Sequence, residues 1–206
     1  MRKIVLQEMM SLDGFMAGPN GEFDWPLADE EFEWYANGLL NAADTLLLGR
    51  NTYQMFASYW PSAASSATGT LRKSDGIEFV VPTNETSVHD QVAARMNAYR
   101  KIVFSRTLDR VEWNNSVLVR EVDPTHIVKM KQEAGKNMPV LGSAELVWSL
   151  MKSRLIDEYR VWVNPIILGR GKPLFGSQSD RSKLKLVGTK SFESGLVEQY
   201  YRQPAE

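Results

Sequence analysis

The chain contains no cysteine. That absence removes disulfides, thiolate zinc sites, iron–sulfur clusters and a cysteine nucleophile together. It suits a reducing compartment, so a cytoplasmic location is expected. Histidine is almost as scarce: His89 and His126 stand far apart with no metal-ligand spacing, and no metal site is expected. Neither sign of charge is in excess. The net charge is −1 with acids and bases intermixed, which leaves no electrostatic footprint for nucleic acid or an anionic membrane. No apolar run reaches the length of a membrane span. The opening MRKIVLQEMM has too short an apolar stretch for a secretory signal. Internal repeats and heptads are missing as well.

What is present is a core. Of 206 residues, 43% are hydrophobic, and no linker divides them, so a single domain over residues 1–206 is expected. Short apolar runs at Ile4–Met10, Asp44–Leu48, Ile77–Val81, Lys101–Phe104, Val117–Val119 and Met138–Leu141 read as strands. Helical spacing marks 29–41, 51–59, 88–98, 123–134 and 144–153, with Asp29 and Asp123-Pro124 as start signals. Glu158–Val163 and Ile166–Leu168 look strand-like. Lys185–Thr189 and Leu196–Arg202 are spaced as a terminal hairpin. SAASSATGT, residues 62–70, is the best candidate for a flexible insertion, extending at most to 75. Strands alternating with helices predict an α/β fold: a mainly parallel central sheet, helices on both faces, and an antiparallel C-terminal hairpin. Ligands of such sheets bind outside the carboxyl ends of the strands.

Three strand ends carry phosphate-friendly chemistry. LLLGRNTY closes a strand at Gly49 and opens a helix with Arg50 and Thr52, so N–H groups, a hydroxyl and a guanidinium meet at one turn. VLGSAELV repeats the arrangement at Gly142, Ser143 and Ala144. There Gly142 lets a ligand approach the backbone, while Glu145 in the first helical turn opposes an anion. IVFSRT ends a strand at Ser105 and Arg106, a pair suited to an isolated phosphate monoester. Each turn taken alone also reads as an ordinary strand–helix connection; their recurrence on one sheet edge favours a nucleotide.

The segment SLDGFMAGPNGEFDWPLADEEF is long and punctuated by glycine, as a mobile lid would be. Its acids Asp13, Asp29 and Glu30 are candidates for proton transfer, against capping or solvation as the alternative. Phe15 and Trp25 from this segment, with Tyr53 and Phe56 from the following helix, are candidates for an apolar substrate wall, against core packing.

In order and spacing, SLDGFMAG, LLLGRNTYQMF, KIVFSRTL and VLGSAELVWSLMKSRLIDEYRVWVNPIILGRGKPLF resemble the dihydrofolate-reductase-like superfamily. The nearer branch is that of the C-terminal reductase domain of riboflavin biosynthesis. The resemblance covers most of residues 2–202. It implies a three-layer fold with NADPH across the carboxyl edge of the sheet. It places Gly49, Arg50 and Thr52 at a phosphate turn, Ser105 and Arg106 at the ribose phosphate, and Gly142, Ser143, Ala144 and Glu145 at a second pyrophosphate turn. Asp13 and Gly14 match the loop near the nicotinamide. At the second turn relatives often have paired glycines, and Ser143 departs from that pair. The Trp25-Pro26 order and the acids after it do not fall in the dihydrofolate reductase register. The activity implied is NADPH-dependent hydride transfer to a small heterocycle, pterin-like, dihydrofolate-like or ribosylaminopyrimidine-like, by a homodimer. A nucleotide-binding or regulatory protein of the same fold without turnover is the rival.

Overall fold

A computed structural model describes residues 1–63, 70–74, 77–81, 87–176 and 181–204. The central sheet has eight strands in the order β11-β12-β9-β1-β8-β3-β6-β7. Six are mutually parallel: β1 (Ile4–Ser11), β3 (Thr45–Gly49), β6 (Arg100–Phe104), β7 (Ser116–Val119), β8 (Met138–Val140) and β9 (Glu158–Asn164). β11 (Lys185–Ser191) and β12 (Val197–Arg202) complete one edge as the expected antiparallel hairpin.

Among the described residues five helices cover the sheet: α1 (Glu30–Leu40), α2 (Arg50–Ala63), α3 (Val88–Ala98), α4 (Pro124–Gln132) and α5 (Ala144–Lys152). Asp123 starts α4 as expected: its side chain accepts from Thr125 N, and Pro124 needs no N–H at the first turn. Strand alternation sends Ile4 and Leu6 to one face, where they meet Ile127 and Met130 of α4 and Leu146, Val147 and Leu150 of α5. On the opposite face Leu46, Leu48 and Val103 pack with Tyr53 of α2 and Met96 of α3. Phe32 of α1 packs there against Trp162, Phe192 and Leu196. Each fully buried side chain of this kind contributes about 1.5–3 kcal/mol.

Several expectations change. Ile166–Leu168 is not a strand; Ile167 is 70% exposed, so nothing holds that apolar triplet in a ladder. The long loop after β1 contains a short strand, β2 (Phe15–Ala17), paired antiparallel with β10 (Lys172–Pro173) of the glycine-rich segment. β4 (Thr70–Ser74) pairs with β5 (Ile77–Val81) in a separate ribbon. Of the expected insertion at 62–75, residues 64–69 and 75 lie outside the described residues.

Candidate functional site

The carboxyl ends of β3, β6, β7 and β8 open on a cleft of about 820 Å³. Three of its walls are the turns singled out above. Gly49 and Arg50 come from the first, Ser105 and Arg106 from the second, and Ser143 and Glu145 from the third. Arg120, Glu121 and Lys152, which sequence reasoning did not select, line it too. Arg120 follows β7 by one residue, and that position was the available signal.

The first and third turns are joined. Gly49 N donates to Gly142 O at 2.8 Å. A Cβ on Gly49 would stand 2.7 Å from Ser143 N and overlap its hydroxyl, so only glycine permits this approach. Gly142 has φ +97°, and a Cβ there would lie 2.6 Å from Thr52 Oγ1 and 3.1 Å from Glu8 Oε1. The Gly142–Ser143 peptide bond is cis. Ser143 is the N-cap residue of α5, yet its side chain makes no capping bond. The first-turn N–H groups of α5 are therefore left without a side-chain acceptor at the cleft. Thr52 and Ala144 are buried behind the turns, with relative exposures of 8% and 2%.

Arg50 is exposed and donates to Thr107 Oγ1 at 2.8 Å. Arg120 donates to the carbonyls of Ser105 and Leu108. Arg106 is exposed. Among the described residues none of the three arginines has a carboxylate partner within ion-pair distance. The Ser105 hydroxyl accepts from Leu108 N at 3.0 Å and Thr107 N at 3.3 Å, which shapes the turn that presents Arg106.

The expected acids behave otherwise. Asp13 accepts from the Ser11 hydroxyl at 2.7 Å and from Leu168 N and Gly169 N at 3.1 and 2.7 Å. The Ser11 hydroxyl first, then those N–H groups, hold its carboxyl below the usual range. Asp13 is thus a latch between two loops, beside Gly14, whose φ of +91° makes the turn. Asp29 caps α1, accepting from Phe32 N at 2.7 Å and Ser194 N at 3.2 Å. The Phe32 N–H first, then Ser194, holds its carboxyl below the usual range in the same way. Both are carboxylates at neutral pH, a state that holds no proton to give. Glu30 is exposed in the first turn of α1.

The aromatic wall is also revised. Tyr53 is 4% exposed, and its hydroxyl accepts from Glu112 N and Trp113 N at 2.9 and 3.0 Å. It belongs to the core under α2, with Phe56 packed against the same cluster, and neither lines the cleft. Phe15 is half-buried in β2. Trp25 is half-buried and stacks edge-on with Phe23, centroids 5.7 Å apart. Its indole Nε1 is buried without a partner.

One acid was missed. Glu8 is buried in β1, 6% exposed, with Oε1 unpartnered, and burial pushes its carboxyl well above the usual range. The signal was its place in the even-numbered stripe Ile4, Leu6, Met10, which faces the core.

The fold and this edge cleft define an α/β protein with a candidate ligand site at the carboxyl edge of its parallel strands. The chain belongs to the family of the RibD C-terminal domain, whose model matches residues 2–197. It is 30% identical over 201 residues to the uncharacterized protein YyaP of Bacillus subtilis (strain 168), covering 97% of this chain and 94% of that one. It is 31% identical to YwjB of the same organism, covering 98% of both. A putative riboflavin biosynthesis protein from Shewanella sp. PV-4 superposes with a TM-score of 0.68 at 22% identity, over all of both chains. Dihydrofolate reductase from Enterococcus faecalis, in complex with NADP(H), gives 0.61 at 13% identity, covering 98% of this chain and 97% of that one. These two likenesses establish the dihydrofolate-reductase-like fold expected from the sequence.

The residues present fit the phosphates of a dinucleotide: Ser143, the N-cap residue of α5, makes no side-chain capping bond, and among the described residues Arg50, Arg106 and Arg120 have no ion pair with a carboxylate.

Proposed function

We propose that this chain is an NADPH-dependent reductase that transfers hydride to a small heterocycle of the pterin, dihydrofolate or ribosylaminopyrimidine kind. One observation carries the reading: Gly49, Arg50, Ser105, Arg106, Ser143 and Glu145, chosen from three separate segments, line a single cleft at the sheet's carboxyl edge. The family and the NADP(H) complex of the Enterococcus reductase support it.

In this reading the pyrophosphate lies against the turns that Gly49 and Gly142 allow to pack together, with Thr52 behind them. The α5 N-terminus faces the phosphates. Arg106, with Ser105 shaping its turn, reads the 2′-phosphate that separates NADPH from NADH. Arg50 and Arg120 add charge, while Glu121 and Glu145 limit it and so favour a ligand whose anionic groups are spaced rather than clustered. When bound, the reduced nicotinamide supplies the hydride. Phe15 and Trp25 flank the segment where a flat substrate would stack. A homodimer located in the cytoplasm completes the proposal. No helix among the described residues is long and apolar enough to cross a membrane.

Titration with NADPH and NADH, read by quenching of the six tryptophans, tests the reading. NADPH is expected to bind at sub-millimolar concentration, and failure of both nucleotides ends the proposal. Arg106→Ala should weaken NADPH by about 1–3 kcal/mol, the range for a lost charge-assisted bond, and leave NADH nearly unchanged. Equal losses would remove Arg106 from 2′-phosphate recognition.

One observation favours the second reading, nucleotide binding without turnover: Asp13 and Asp29 are engaged as carboxylates and hold no proton. If NADPH binds but none of the three heterocycle classes oxidises it, that reading replaces the first.

A further inference from the structure

A second concavity, of about 660 Å³, opens between α2, the end of α3 and the connection from β6 to β7. It shares no lining residue with the cleft. Its volume lies within the range of about 300–1,000 Å³ that small-molecule sites occupy. Ala57, Pro61, Leu108 and Trp113 give it apolar walls. The two charged residues of the lining, Arg110 and Glu112, pair with each other at 2.7 Å, so neither is left to attract an ion. The wall is fixed from behind. Asn97 Oδ1 accepts from Trp113 Nε1 at 2.7 Å, and Lys101 Nζ donates to the carbonyls of Asn97 and Asn114, both at 2.9 Å. A wall held in this way needs little ordering when a ligand arrives.

The polar anchor is Tyr53. It lines the concavity although only 4% exposed, and its hydroxyl accepts from Glu112 N and Trp113 N at 2.9 and 3.0 Å. Both donors belong to residues of the same lining. Among the described residues the hydroxyl makes no other hydrogen bond, so its own proton lacks an acceptor. A buried donor left unsatisfied costs free energy that an incoming acceptor returns. We propose that this concavity is a second ligand site, taking a small uncharged aromatic or heteroaromatic compound whose carbonyl oxygen or ring nitrogen accepts from Tyr53 and whose ring lies against Leu108 and Trp113. The site is separate from the cleft and does not depend on the cofactor reading.

The test is titration of the isotopically labelled full chain with benzamide, followed through its amide and indole NMR signals. The expected result is a saturable shift of the Glu112 and Trp113 amides and the Trp113 indole, with Ser143 and Glu145 on the cleft unmoved. Tyr53→Phe removes the anchoring proton and should weaken benzamide about three- to tenfold, the range for one neutral hydrogen bond. That variant also takes the acceptor from two backbone N–H groups, so a second one keeps the Tyr53 bonds and fills the space instead. Ala57→Phe, checked for folding by thermal unfolding, should abolish the saturable shift. Benzoate should bind no more tightly than benzamide, because the lining offers no unpaired cation. Tighter binding of benzoate overturns the assigned ligand class. No saturable shift at the solubility limit, shifts confined to cleft residues, or a response that survives in A57F overturns the site.

Discussion

Lys101 is fully buried, yet among the described residues it has no ion pair with a carboxylate. Its Nζ donates to the carbonyls of Asn97 and Asn114, both at 2.9 Å, and stands 4.1 Å from the centre of the Trp113 ring. Burial lowers its pKa from the ordinary 10.5 to about 8. The unfolded chain therefore binds this proton more tightly than the folded one between those two values. Stability should rise with pH across that window, and below it the protein carries the full penalty of the buried charge. Tyr35 and Tyr159 act oppositely: burial raises both to about 12, so their folded forms keep protons that the unfolded chain loses near pH 10, and stability falls beyond it. The visible Lys101 effect is thus confined to roughly pH 8–10 and amounts to about 2 kcal/mol. Urea unfolding at intervals through this range measures it. Lys101→Met should abolish the rise; a rise that persists in the variant would assign it to other groups. Glu8 gives the mirror case. Its raised folded pKa makes stability fall as pH climbs from the unfolded value to the folded one, and E8Q should remove that fall.

Helix α1 shows how an element is placed by a few polar contacts laid over an apolar face. Phe32 enters the core between Trp162 and Phe192, edge-on to both. Tyr35 then donates to Glu198 at 2.6 Å and accepts from Arg160 at 2.9 Å, joining the helix to β12 and β9. Glu198 is 3% exposed, so its loss would leave the half-buried Arg160 guanidinium without its carboxylate. Glu198→Ala should cost about 3–5 kcal/mol, and Asp29→Ala, which removes the cap and the bond from Ser194 N, clearly less. Comparable costs for the two in denaturant titrations would contradict this ranking. Such elements differ in how far the sequence announces them. Residues 29–41 and 123–134 carry caps and a helical period, and Thr45–Gly49 is a bare apolar run; all three were legible. The β2–β10 pairing was not, because strands of three and two residues carry no periodic signal. β4 was hidden by its polar composition, TLRKS. In the site, the three turns were legible because each ends an apolar run in small or cationic residues. Asp29 was legible as the cap of α1, but the latch made by Asp13 and the second bond of Asp29 were not, since they depend on N–H groups 155 and 165 residues away in sequence.

At the scale of the whole molecule the two edges of the sheet treat charge differently. At the amino edge charges are matched. Arg2 pairs with Asp44 and also donates to Thr45 Oγ1 and Lys136 O, each at 2.7 Å, binding the starts of β1, β3 and β8 together. Lys131–Asp157 and Lys3–Glu158 close at 2.7 Å on the same side. At the carboxyl edge Arg50, Arg106 and Arg120 line the cleft with no ion pair among the described residues. A chain whose net charge is −1 thus keeps a local cationic surface where the α5 N-terminus also points. The consequence is a stability that responds to the right anion. A ligand at 100 times its dissociation constant adds about 2.7 kcal/mol to the folded state. In a protein of this size that corresponds to a rise in Tm of roughly 5–10 °C. NADPH and 2′,5′-ADP should both raise Tm, adenosine should not, and the effect should weaken with added salt because exposed arginines are screened. Arg106→Ala should reduce the 2′,5′-ADP shift far more than the shift from 5′-ADP. If adenosine stabilises as well as 2′,5′-ADP, the carboxyl edge is not a phosphate site, and its unpaired arginines need another partner.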